Sequence, residues 1–219
     1  MTIKKLLIAC ALLTMGSHIN AKNEPIDLFN GKDLRNWNLF VDKGDLTADQ
    51  VFTVKDGVIH CVGKPFGYMY TKETYQNFQL HVEWRWPEEP ANSGIFLFVQ
   101  DGEKLWPHAI ECQLHAGDAG DFVLLGGSDL KEFKLAEGEQ RPAFPVVTKK
   151  KVSNEKPTGQ WNSADITCKN GKITVIINGT HQNTGSKPVY KKGHIALQSE
   201  GGPVEFRNVQ LTPLKGSSK

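Results

Sequence analysis

Three stretches of the sequence carry most of the side chains that could do chemistry, and all three alternate. In residues 108–115, Glu111, Gln113 and His115 interleave with Ile110, Cys112 and Leu114. Across residues 78–86, Gln79, His81, Glu83 and Arg85 interleave with Phe78, Leu80, Val82, Trp84 and Trp86. In residues 194–200, Ala196, Gln198 and Glu200 interleave with Ile195, Leu197 and Ser199. Successive side chains on a strand point to opposite faces, so each polar set shares a surface. If the three strands share a sheet, one face collects Glu83, Arg85, Glu111, Gln113, His115, Gln198 and Glu200. Carboxylate and imidazole are candidate bases, and amides and guanidinium are the planar groups that grip sugar hydroxyls. Trp106 and Trp37 are candidate aromatic walls for such a site. Any one of these strands would show the same alternation with its polar side merely facing water.

His108, Glu111 and His115 lie on or beside one strand and form a candidate ligand set for a divalent cation. The turn Asp118-Ala119-Gly120-Asp121 puts two carboxylates together in a way that would suit calcium, although most such turns bind nothing. The four cysteines form no CxxC pair, which excludes a zinc knuckle or a thioredoxin-type site. Cys61, Cys112 and Cys168 each sit in an apolar alternating run, as buried small hydrophobes do.

The elements that must position these residues read as antiparallel strands. Asp56-Gly57, Asn170-Gly171 and Asn178-Gly179 each supply the positive φ angles of a tight hairpin between alternating runs. No stretch of twelve residues shows a sustained helical period. The expected fold is all-β: a two-sheet antiparallel sandwich or jelly roll in a single domain over residues 22–219. Residues 137–160, with Pro142, Pro145, Pro157 and the run Lys149-Lys150-Lys151, break the alternation and read either as a surface excursion or as a substrate lid.

Residues 1–21 pair Lys4 and Lys5 with an apolar run from Leu6 to Met15, followed by Ile19-Asn20-Ala21, as in a cleaved signal peptide. The expected location is the periplasm or outside the cell, with no membrane span. The whole chain has 26 basic and 24 acidic residues, and losing Lys4 and Lys5 leaves 24 of each. A formally neutral mature chain excludes nucleic acid as the obvious partner and suits a glycoside or oligosaccharide. The sequence commits to no oligomeric state.

Several segments together resemble the 3-keto-disaccharide hydrolase family: Leu28-Phe29-Asn30-Gly31-Lys32-Asp33-Leu34 with Trp37, Asn92-Ser93-Gly94-Ile95-Phe96, Glu111-Cys112-Gln113-Leu114, Gly159-Gln160-Trp161-Asn162, and Leu197-Gln198 with Phe206-Arg207-Asn208-Val209. The resemblance implies a concanavalin A-like jelly roll and an enzyme of carbohydrate metabolism. It implies removal of the C2 proton of a 3-keto-glycoside, followed by β-elimination of the C1 substituent or net hydrolysis. Glu111 is then the first base candidate and His115 the second. Glu83, Arg85, Asn92, Gln113, Gln198, Glu200 and Trp106 hold the sugar or stabilise charge, and a divalent cation on His108, Glu111 and His115 is the cofactor to test. One departure stands out: this chain has Glu200 where many relatives have His. Retaining endoglucanases of the same fold resemble one another in an E-x-D-x-x-E strand, of which residues 111–116 keep only the first acid. A conventional two-carboxylate glycoside hydrolase and a non-catalytic carbohydrate-binding module are the rival functions.

Overall fold

The computed structural model describes residues 24–216. The segment expected to act as a signal peptide lies outside them. Fifteen strands follow in chain order: β1 Ile26–Asp27, β2 Trp37–Val41, β3 Phe52–Lys55, β4 Val58–Cys61, β5 Gly67–Thr71, β6 Phe78–Arg85, β7 Gly94–Val99, β8 Ala109–Gln113, β9 Phe122–Leu125, β10 Val146–Val147, β11 Asn162–Lys169, β12 Lys172–Ile177, β13 Thr180–Ser186, β14 His194–Ser199 and β15 Val204–Pro213. One helical turn, Ala48–Val51, precedes β3.

The three predicted hairpins form as their turn residues require. Asp56-Gly57, Asn170-Gly171 and Asn178-Gly179 all have positive φ at both positions, the paired left-handed geometry whose twist matches the flanking strands. They join β3 to β4, β11 to β12 and β12 to β13.

All strand pairs are antiparallel, in two sheets. One runs β13-β12-β11-β6-β15-β4-β3, with β1 also paired to β15; the other runs β10-β9-β8-β7-β14-β5-β2. The core lies between them. Phe78, Leu80, Val82 and Trp84 of β6, with Ala164 and Ile166 of β11, meet Ile110, Cys112, Ile195 and Leu197 from β8 and β14. The expected sandwich is thus what forms. Trp37 belongs to this core, with its indole N–H donated to the Leu28 carbonyl at 2.9 Å, so it is no wall of a site. The three described cysteines are free and buried, and burial pushes the Cys61 thiol up to about 11.

The second sheet carries a further apolar layer on its outer face. Tyr68, Tyr70, Phe96, Val99, Ala109, Val123, Leu125 and Ala196 cluster there, with Phe40 and Trp106 packed against them. The loop after β7 closes over this layer: the Tyr68 hydroxyl donates to the Lys104 carbonyl at 2.9 Å and accepts from the Glu103 N–H at 3.1 Å. An aromatic floor therefore extends beside the polar residues of the same face.

Candidate functional site

Glu111 sits mid-strand in β8, opposite Phe96 of β7 and Val123 of β9. Its parity turns it away from the inter-sheet core, yet it is only 3 % exposed. Room for it comes from β7: a Cβ on Gly94 would overlap the Glu111 carboxylate. The glycine of Asn92-Ser93-Gly94 therefore serves as the slot into which the acid folds.

Around Glu111, a cavity of about 240 Å³ is lined by Asn92, Trp106, Gln113, Val123, Leu125, Phe144, Val146 and Glu200. Asn92 arrives on an isolated bridge to Glu200 and Gly201. The neighbouring Ser93 hydroxyl, hydrogen-bonded to the Gln198 carbonyl at 2.8 Å, fixes this segment to β14. Gln198 donates its amide N–H to Glu200 at 2.7 Å. Gln113 turns its carbonyl oxygen to the backbone N–H groups of Leu114 and His115, both at 2.9 Å, which leaves its amide nitrogen to donate elsewhere.

The electrostatics follow from burial. Loss of water pushes the Glu111 carboxyl well above the usual carboxylate range, and the neighbouring Glu200 charge adds to the effect. Glu200 is itself raised by burial, against the opposing Gln198 hydrogen bond and the His115 charge. Three buried oxygens here have no hydrogen-bond partner: Asn92 Oδ1, Glu111 Oε1 and Gln198 Oε1. Unpaired acceptors at that depth are costly, and the three lie on or beside the residues that line the cavity.

Of the residues nominated from sequence, Glu111, Gln113, Asn92, Glu200 and Trp106 line this cavity and Gln198 adjoins it. Glu83 and Arg85 do not. They belong to β6, in the opposite sheet, so the shared face assumed for the three alternating strands does not exist. Glu83 instead pairs with Arg207 at 2.6 Å and Asn208 at 2.9 Å. Arg85 binds Glu205 at 2.5 Å and, with Arg207, covers the Trp161 ring. His115 stands exposed on the turn after β8, hydrogen-bonded to Asp118 at 3.0 Å, and influences the site through its charge on Glu200.

The proposed cation ligands are also separated. Six residues separate His108 from His115, and the five that form β8 alone extend roughly 17 Å at about 3.3 Å per residue. His108 bonds the Gly126 carbonyl and packs edge-on against Tyr190. His108, Glu111 and His115 therefore do not fit one ion, and no group of three His, Cys, Asp or Glu among the described residues does. The Asp118–Asp121 turn is occupied by Lys149, whose ammonium bonds Asp118 at 3.2 Å and whose backbone N–H bonds Asp121 at 2.7 Å.

Sequence reasoning left out Val123, Leu125, Phe144 and Val146. The last two come from residues 137–160, pinned by β10 pairing with β9 and by the Lys149 contacts. Phe144 meets Trp106 edge-on at 5.1 Å between ring centres. The proline-rich break in alternation was the available signal: most of this segment is exposed, as a surface excursion is, and Phe144 and Val146 within it line the cavity.

Residues 24–212 match the family model described as the 3-keto-alpha-glucoside-1,2-lyase-like domain. The chain belongs to that family. A curated relative in Bacteroides thetaiotaomicron, named 3-keto-disaccharide hydrolase, is 24 % identical over 86 % of this chain and 78 % of its own. Among solved structures, a Parabacteroides distasonis protein provisionally described as a glycosyl hydrolase superposes with a TM-score of 0.62 at 24 % identity, covering 87 % of this chain and 94 % of that one. LamAcat from Zobellia galactanivorans has a TM-score of 0.56 at 13 % identity, covering 90 % of this chain and 99 % of that one. These structural likenesses establish the jelly-roll fold shared by this lyase-like family and its neighbours.

Proposed function

We propose that this protein is a carbohydrate-active enzyme that cleaves 3-keto-glycosides, with Glu111 as the base that removes the C2 proton. The observation that carries this reading is the Glu111 carboxylate itself: buried, unpaired at Oε1, raised in pKa and open to a cavity flanked by hydroxyl-binding amides. A ketone at C3 acidifies the C2 hydrogen because the resulting carbanion is held as an enolate. An elevated carboxylate is a better match to that proton than an ordinary one.

The bonds balance as follows. Glu111 takes the C2 proton, and the C2–H electrons form the C2=C3 enolate. The enolate collapses to restore the C3 ketone, a C1=C2 double bond forms, and the C1–O bond breaks with its electrons leaving on oxygen. The proton that Glu111 has taken from C2 is then available to this alkoxide, and its transfer returns Glu111 to the ionised form. The Gln113 amide nitrogen is free to donate to the enolate oxygen. Water adding back at C1 gives net hydrolysis. The side-chain amides of Asn92 and Gln113, which line the cavity, would bond sugar hydroxyls.

A conventional two-carboxylate hydrolysis has one favouring observation, the Glu111–Glu200 pair in one cavity. Incubating purified protein with a glucoside and with its 3-keto derivative separates the two. We expect turnover of the 3-keto compound alone; cleavage of the unoxidised glucoside would establish the rival, and binding without turnover of either would establish a binding module. Export is part of the same proposal, and a mature amino terminus at or near Lys22 in periplasmic protein would support it.

A further inference from the structure

The cavity is two-sided, and the division follows the strand order. Its polar residues, Glu111, Gln113, Asn92 and Glu200, stand over β8, β14 and the segment leading into β7. Its apolar residues, Val123, Leu125, Val146 and Phe144, lie over β9 and β10, towards the sheet edge. Register makes this a continuous row: Glu111 is paired with Val123, and Val123 with Val146. Neighbouring strands are about 4.8 Å apart, so the row runs on the order of 10 Å from the carboxylate to the edge. At that end Phe144 and Val146 are each 44 % exposed. Trp106 adds a further aromatic ring beside the row, in edge-on contact with Phe144.

Resting on the assignment of Glu111 as the C2 base, we propose that this enzyme selects 3-keto-glycosides whose aglycone is apolar, over those whose aglycone is a second sugar. With C2 held above Glu111, the C1 oxygen is one carbon away, and whatever it carries must extend from the polar half. Across β9 and β10 it meets aliphatic and aromatic surface with little to bond hydroxyls. A second sugar ring there would surrender hydrogen bonds to water without replacement, whereas an apolar ring would cover Phe144 and Val146 and remove their surface from water.

Leaving groups of similar acidity isolate contacts from intrinsic reactivity, so the test compares the 3-keto glucosides of methanol, cyclohexylmethanol and a primary hydroxyl of a second glucose. The expected kcat/KM is about tenfold higher for the cyclohexylmethyl compound than for the other two, a size typical of one well-buried apolar group. Phe144→Ala, at a half-exposed loop position, should bring the three values to within about twofold by lowering the first, and Phe144→Leu should retain most of the preference. Equal or greater kcat/KM for the disaccharide in the wild type would overturn this proposal while leaving the C2-base mechanism intact. No turnover of any 3-keto compound would overturn both.

Discussion

The outer faces of the two sheets carry similar residues and treat them in opposite ways. On the sheet containing β6, acids have partners: Glu83 with Arg207, Arg85 with Glu205, His60 with Glu205 at 3.0 Å, and His81 with Asp165 at 2.7 Å. Asn208 and Arg207 hold the Glu83 carboxyl below its usual range despite partial burial. On the sheet containing β8, Glu111 is more deeply buried, has no cation and keeps an unpaired oxygen. A matched network satisfies itself and asks nothing of a ligand. An unmatched buried acid is an energetic cost that the rest of the fold sustains, as expected at a functional site.

That contrast can be broken from either side. Glu111→Gln should lower turnover of a 3-keto-glycoside by about 10²–10⁴-fold, the range for losing a general base. The same variant should be more thermostable than wild type, by a margin that widens as pH rises. Glu111 has a folded-state pKa above its unfolded value, so its contribution to stability is present below the unfolded pKa and lost as pH climbs through the folded one. Glutamine has no such loss, and melting curves between pH 4 and 8 would read the difference.

Gly94→Ala comes next, because the added methyl occupies the slot of the Glu111 carboxylate. A destabilisation of about 1–3 kcal/mol, the usual cost of overpacking, should accompany a large loss of activity. Glu200→Gln should move the acidic limb of the kcat/KM profile to lower pH, since a neighbouring negative charge that raises Glu111 has gone; an unmoved limb would show that the two carboxylates do not interact. Smallest of all, Arg207→Ala on the matched face should cost about 1 kcal/mol or less in unfolding experiments and leave turnover unchanged.

The alternating patterns and the Asn-Gly and Asp-Gly turns made the sandwich legible, because each reports a local preference that the fold does not override. Alternation correctly gave Glu111, Gln113, Gln198 and Glu200 one orientation. It could not say which strands are neighbours: β6 pairs with β11 and β15, distant in sequence, so Glu83 and Arg85 were assigned to the wrong face. Residues 137–160 hid two residues of the cavity wall, Phe144 and Val146, for a related reason. Phe144 and Val146 are held by long-range contacts to β9, Asp121 and Gln182, which leave no local period to detect. Glycine 94 was visible within a family segment, but only the folded neighbour of β8 reveals what its missing side chain admits.

Exchange of the C2 hydrogen tests the central claim most directly. In heavy water, the wild-type protein should place deuterium at C2 of a recovered 3-keto sugar, and correctly folded Glu111→Gln should place little or none. Undiminished deuterium at C2 in that variant would contradict the assignment of Glu111 as the base.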